Sequence, residues 1–181
     1  RSADLILVAV KTYDLQSVLG LIYPMMGDST CVLTLQNGVE SHDILANALG
    51  RNRVLPGVAY IESRIESPGV IVQTGEFVRL VLGEANGQRT VRLQRICDTM
   101  RDAGVDCELS EDMLKTLWTK FIFIASLAGL TSVCRTKIGV LLGDDNYVNL
   151  LMNIMEEIGK VGRAKGIKLD PDVSVKTMRY V

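Results

Sequence analysis

Up to residue 109, apolar runs of strand length alternate with helical patterns, whereas from Ser110 onward no segment reads as a strand. A chain with that switch folds as an α/β unit followed by an all-α unit. Leu5 to Val10 is unbroken apolar, the pattern of a strand buried on both faces of a parallel sheet. Asp14 then caps a helix that carries Leu15, Val18, Leu19 and Ile22 at helical spacing and ends near Pro24 and Gly27. Cys31 to Leu35 reads as a second strand closed by the turn Gln36-Asn37-Gly38, Ser41 caps a helix through Leu49, and Arg53 to Ile61 returns as a third strand. Strand, helix, strand, helix, strand is a doubly wound order. Val70 to Thr74 and Val78 to Leu82 fit a hairpin around Gly75-Glu76-Phe77, an antiparallel extension of the sheet. Gln88 to Ala103 is amphipathic through Val91, Leu93, Ile96, Cys97 and Met100, and Cys107 to Leu109 is the last strand.

The remainder divides into three helices. Ser110, followed by Glu111 and Asp112, marks the start of the first, over 111–134; a second covers 144–165 and stops at Gly166; Asp170 caps a third with Pro171 at its first position. The predicted domains are 1–109, part of a Rossmann-like doubly wound unit, and 110–181, part of a helical unit.

Composition narrows the function. With 20 basic and 21 acidic residues the net charge is -1, so no global field draws a nucleic acid or an anionic membrane. Cys31, Cys97, Cys107 and Cys134 show no metal-ligand spacing and suit a reducing cytoplasm, and with His42 as the one histidine no zinc set is visible. The apolar run from Phe121 to Cys134 is shorter than the roughly 20 residues of a membrane span and reads as a buried helix. No export signal opens the chain. Glu62, Arg64 and Glu66 read as a solvated strand or loop, Glu156, Glu157 and Lys160 as an outward helix face, and His42 as a surface residue in the first turn of its helix.

Chemistry concentrates around Lys120. It stands near the head of a helix otherwise apolar all round, in Leu117-Trp118-Thr119-Lys120-Phe121-Ile122-Phe123-Ile124. Two readings are open. In one, the lysine snorkels, its stem on Trp118 or Phe121 and its ammonium in water. In the other it lies in a cleft and gives a proton to a carbonyl oxygen, partial desolvation having brought its pKa nearer the working pH. Asn37-Gly38 is an ordinary turn dipeptide and Lys11 an ordinary loop cation, yet both directly follow the carboxyl end of a predicted strand, where open α/β sheets bind their ligands. Ser126 and Thr131 read as packing or backbone-bonded hydroxyls.

Val10-Lys11-Thr12-Tyr13-Asp14, Leu35-Gln36-Asn37-Gly38-Val39-Glu40 and Trp118-Thr119-Lys120-Phe121, in that order and spacing, resemble the ketopantoate reductases, over nearly the whole chain. The resemblance implies the fold already read, with a helical substrate and dimerisation domain of the 6-phosphogluconate dehydrogenase C-terminal kind. It also implies NADPH-dependent reduction of 2-dehydropantoate (ketopantoate) or a similar 2-keto acid in pantothenate and coenzyme A biosynthesis. It makes Lys120 the catalytic lysine, Lys11 a cofactor contact, and Asn37 a residue near both nicotinamide and substrate. Substrate-facing positions four and eight residues beyond Lys120, where the family commonly carries asparagine, are here Ile124 and Ala128.

No G-x-G-x-x-G occurs in the 181 residues. On the resemblance that phosphate-binding fingerprint is expected before Arg1, and a further serine and acidic residue beyond Val181, so the segment alone is expected to bind NADPH poorly and to be inactive. Two other readings stand beside this one. The first is a β-hydroxyacid or phosphogluconate type of dehydrogenase, which would carry asparagine after its lysine. The second is a silent dinucleotide-binding or dimerisation relative, in which Leu150, Leu151, Ile154, Met155 and Ile158 face their own domain or a second copy.

Overall fold

The computed structural model describes residues 2–181, the side chains of residues 76 and 77 excepted. The chain divides into two compact units: residues 1–36 with 40–113, and residues 37–39 with 114–181.

The first unit is built on a five-stranded sheet in the order β1 (Leu5–Val8), β2 (Cys31–Thr34), β3 (Val54–Ser67), β4 (Val70–Leu82), β5 (Cys107–Leu109). β1, β2 and β3 run parallel, β3 and β4 antiparallel, and β4 and β5 parallel. Helices α1 (Leu15–Ile22) and α2 (Ser41–Leu49) return the chain between the parallel strands, as the crossover connection of a parallel pair requires. Each face of the sheet has its own core. Ile6, Val8, Val32 and Val54 meet Leu15, Ile22, Leu45 and Leu49 of α1 and α2. Leu33, Leu55, Leu80, Leu82 and Cys107 meet Leu93 and Cys97 of α3 (Val91–Asp102). Helices on both faces of a mostly parallel sheet make this half Rossmann-like and doubly wound, and the half that follows it is all α.

Several local expectations change. The first apolar run does not form a strand buried on both faces. β1 is an edge strand, and on its second face Leu7 is 51% exposed while Leu5 packs only in part against the core that α3 covers. Neither Asp14 nor Ser41 caps with its side chain. Asp14 closes a 3-10 turn, Thr12–Asp14, and Glu40 occupies the cap position of α2. The hairpin lies elsewhere: β4 is continuous, and the reversal falls at Pro68-Gly69, where Gly69 has φ +79°. At Gly75 the register between β3 and β4 shifts, so the extra residues form a bulge instead of a loop. His42 is 5% exposed, packed inward where a surface position was expected, and its Nε2 has no hydrogen-bond partner.

The second unit packs α4 (Met113–Cys134), the short α5 (Ile138–Leu141), α6 (Asp145–Ala164) and α7 (Val173–Met178) around Trp118, Ile122, Leu151, Met155 and Leu169. α5 had no sequence expectation, since four residues are too few to show a period. Asp144 caps α6 by accepting from Asn146 N at 2.8 Å. Asp170 does not cap α7. Its carboxylate receives Lys115 of α4 and Lys176 of α7. Gly162 lets α6 approach α4, because a Cβ there would fall 2.8 Å from the Trp118 ring. The apolar stripe of α6 serves this core: Leu151 and Met155 are buried and Ile154 and Ile158 pack against them, while Leu150 remains 45% exposed.

α4 departs from the expected buried helix. It has 22 residues, long and apolar enough by length and composition to cross a membrane, and only 28% of its most apolar stretch is buried within the chain. Trp118, Ile122, Ser126 and Leu130 face the helical core, whereas Phe123, Ile124 and Leu127 are half-buried and Ala128 is exposed.

Candidate functional site

Asn37 follows β2, but the chain packs residues 37–39 into the helical unit. Val39 explains this, since its side chain packs against the core that contains Trp118 and Ile122. Gly38 permits the bend, with φ +113°, a conformation that a residue with Cβ rarely adopts. The outcome is a hydrogen bond from Lys120 Nζ to Asn37 Oδ1 at 2.8 Å, between residues 83 apart in sequence.

Lys120 is half-buried. Trp118 and Phe121 engage one another edge to face, centroids 5.7 Å apart, with Trp118 buried in the helical core. Burial pushes the Lys120 pKa below the ordinary lysine value. The site therefore holds a half-buried cation oriented by a neutral amide. Such a group can donate a hydrogen bond to a carbonyl oxygen and then give up the proton as negative charge develops there. Ile124 and Ala128 follow Lys120 on the same side of α4 at i+4 and i+8. Ser126 faces inward, wholly buried with Oγ unpartnered, and Thr131 donates to the Leu127 carbonyl at 2.7 Å.

In the sheet unit, Lys11 is exposed just beyond the carboxyl end of β1. Gln36, at the same end of β2, is buried and donates from Nε2 to the Val8 carbonyl at 2.9 Å, while Leu35 N donates to that carbonyl at 3.0 Å. The sequence marked Gln36 only as part of a turn. Its side chain ties the two strand ends together. Val39 also escaped the sequence reading, because a lone valine after a turn carries no periodic signal.

The charged cluster of the sheet unit lies elsewhere. Glu84, after β4, accepts from Thr90 Oγ1 at 2.6 Å and from Arg92 at 2.8 and 2.6 Å, and Arg92 also donates to the Asn52 carbonyl. Burial works to raise the Glu84 pKa, but the hydrogen bonds from Arg92 and Thr90 and the Arg92 charge outweigh it and hold the carboxylate below its ordinary value. This cluster fastens α3 to the turn before β3. Among the described residues no group of three or more His, Cys, Asp and Glu is placed to hold a metal ion.

The sequence profile of ketopantoate reductase PanE/ApbA matches residues 1–87, and that of its C-terminal part matches residues 112–181. The chain is 28% identical over 97% of its length to the uncharacterized oxidoreductase YkpB of Bacillus subtilis, and equally so to a 2-dehydropantoate 2-reductase of Archaeoglobus fulgidus. In both cases it spans 58% of the relative. It superposes on the crystal structure of 2-dehydropantoate 2-reductase from Geobacter metallireducens with a TM-score of 0.90 at 30% identity, covering 99% of this chain and 60% of that one. The D-mandelate dehydrogenase structure with NADH, at 21% identity and a TM-score of 0.88, shares the fold. With both profiles matched in sequence order and the two-part architecture in common, the chain belongs to the ketopantoate reductase family of oxidoreductases.

Proposed function

We propose that the protein reduces a small 2-keto acid, ketopantoate or a near relative, to the 2-hydroxy acid with NADPH, as a step of pantothenate biosynthesis in the cytoplasm. The observation that carries the proposal is the Lys120–Asn37 hydrogen bond at 2.8 Å, with burial lowering the Lys120 pKa. Bound NADPH would supply the hydride for the keto carbon. Lys120 polarises the keto oxygen as a cation and transfers its proton to it, completing a hydroxyl group. Asn37 holds the ammonium in place through Oδ1 and would contact substrate and cofactor when they are bound. Ile124 and Ala128 line the substrate's side of α4. Lys11 fits a polyanionic dinucleotide, being an exposed cation at the carboxyl end of a parallel strand, where ligands of such sheets bind.

In this proposal residues 1–109 form part of the cofactor domain and residues 110–181 part of the substrate domain, and the working protein is a homodimer. Since the chain spans little more than half of its curated relatives, the activity belongs to the full-length protein. The test follows NADPH absorbance with ketopantoate and a panel of other 2-keto acids, for the wild type and Lys120→Ala. Turnover by the wild type and a loss of about 100-fold or more in the variant, with NADPH binding retained, are expected. A variant at full rate would leave Lys120 a structural residue, and a wild type that binds NADPH yet reduces no 2-keto acid would remove the substrate assignment.

A further inference from the structure

An α-helix places residues i+3, i+4, i+7 and i+8 on the side of residue i. From Lys120 of α4 these are Phe123, Ile124, Leu127 and Ala128, an apolar stripe that begins beside the ammonium and runs for two turns. Phe123, Ile124 and Leu127 are half-buried and Ala128 is exposed, while the opposite side of α4 fills the helical core with Trp118, Ile122 and Leu130. The stripe is thus apolar surface that the helical core leaves uncovered. Thr131 ends it with a hydroxyl whose hydrogen is committed to the Leu127 carbonyl at 2.7 Å. Toward the helix start, Thr119 donates its hydroxyl to the Lys115 carbonyl at 2.8 Å, and Thr116 stands one turn before Lys120 on the same side of the helix.

We infer that the acid reduced here carries an alkyl or aryl side chain without a hydroxyl group, which lies along Phe123, Ile124, Leu127 and Ala128. The inference rests on the reductase reading of Lys120 but, of the substrates proposed above, selects the near relative over ketopantoate itself and so takes the reaction out of pantothenate biosynthesis. With the keto oxygen at the Lys120 ammonium, the rest of the substrate extends along the helix. A hydrocarbon group gains by covering the stripe. A hydroxyl group in the same place leaves water for side chains that have neither donor nor acceptor, and is disfavoured by about 10- to 100-fold in kcat/KM.

Two acids that differ by one oxygen test this on the full-length protein: 2-oxo-3,3-dimethylbutanoate and its 4-hydroxy derivative, ketopantoate. The wild type is expected to favour the hydroxyl-free acid by about 10-fold or more in kcat/KM. Ile124→Asn, which supplies an amide one turn from Lys120, is expected to move that ratio toward the hydroxylated acid. Equal values, or a preference for ketopantoate, in the wild type would overturn the inference and leave the reductase reading intact. Reduction of neither acid, nor of any other 2-keto acid, would overturn both. The wild-type ratio decides the matter even if Ile124→Asn fails to fold.

Discussion

Two half-buried cations of this protein are held by partners of different kind. Arg92, in the sheet unit, meets the Glu84 carboxylate through two hydrogen bonds and the Asn52 carbonyl through a third. Lys120, in the helical unit, meets the neutral amide of Asn37. The consequences appear in the two pKa values. Arg92 is raised, first by its hydrogen bond to Glu84, whereas Lys120 is lowered by burial. A cation compensated by a carboxylate is held to its charge and fastens structure. One compensated by a dipole stays able to release its proton, the property that acid catalysis needs.

The sharpest way to break this comparison is to remove each charge. Lys120→Ala should lower kcat/KM by about 100- to 10,000-fold and change unfolding free energy by no more than about 0.5 kcal/mol. Glu84→Ala should do the reverse. It leaves Arg92 and Thr90 without their acceptor, but Arg92 is 36% exposed and recovers some hydration. The loss is therefore about 2 kcal/mol, below the range for a fully buried pair, with kcat/KM little changed once the protein is folded. Urea unfolding and steady-state kinetics on the same preparations measure both. Equal damage to activity and stability in each variant would erase the distinction.

Gly162→Ala probes the packing behind Lys120. Its new Cβ would fall 2.7 Å from Leu169 Cδ1 and 2.8 Å from Trp118 Cε3, so α6 must shift from α4. A cost of about 1–3 kcal/mol is expected in urea unfolding. An unchanged midpoint would mean that the two helices separate freely, and α4 would then be a poor platform for a positioned acid.

Asn37→Asp converts the dipole beside Lys120 into a charge. A carboxylate within hydrogen-bond reach favours the ammonium and raises its pKa by about 1 unit or more. In the wild type kcat/KM should fall as pH rises through the lowered Lys120 pKa, because the acid form is lost. In Asn37→Asp that alkaline limb should move to higher pH by about 1 unit. A limb that stays in place in the variant would mean that some other group sets it.

How much of this was legible in the sequence follows from the range of each interaction. The alternation of strands and helices before Ser110, and its end there, rest on local periodicity and are visible in any window of the chain. Lys120 stood out for the same reason, as a charge in an apolar helix. The three motifs, taken together, carried the family. Contacts over long separations stayed hidden. Nothing around Val39 announces that it packs against a core 80 residues onward, yet that contact holds Asn37 against Lys120. Gly75 looked like a hairpin turn because a bulge and a turn both favour glycine, and only the partner strand decides between them.

His42 misled in the same way and provides the smallest predicted effect. Polar residues in a first helical turn are commonly exposed, but the side of α2 that carries Leu45 and Leu49 turns His42 inward as well. Burial lowers its pKa, the Asp43 charge opposes this, and the Arg51 charge adds to it; Glu84 also feels the His42 charge. With its pKa lower in the folded state, His42 takes up a proton on unfolding in the window between that value and the unfolded value of about 6.5. The unfolded state binds more protons there, so stability falls as pH drops from about 6.5 toward the folded pKa and levels off below it, with a slope of at most about 1.4 kcal/mol per pH unit. His42→Gln removes the titration while keeping a polar side chain of similar size. Urea midpoints between pH 7.5 and pH 5 should therefore decline less in the variant than in the wild type. Parallel declines would assign the acid sensitivity to carboxylates such as Glu84, whose lowered pKa makes its contribution disappear only as pH falls further, through that folded value.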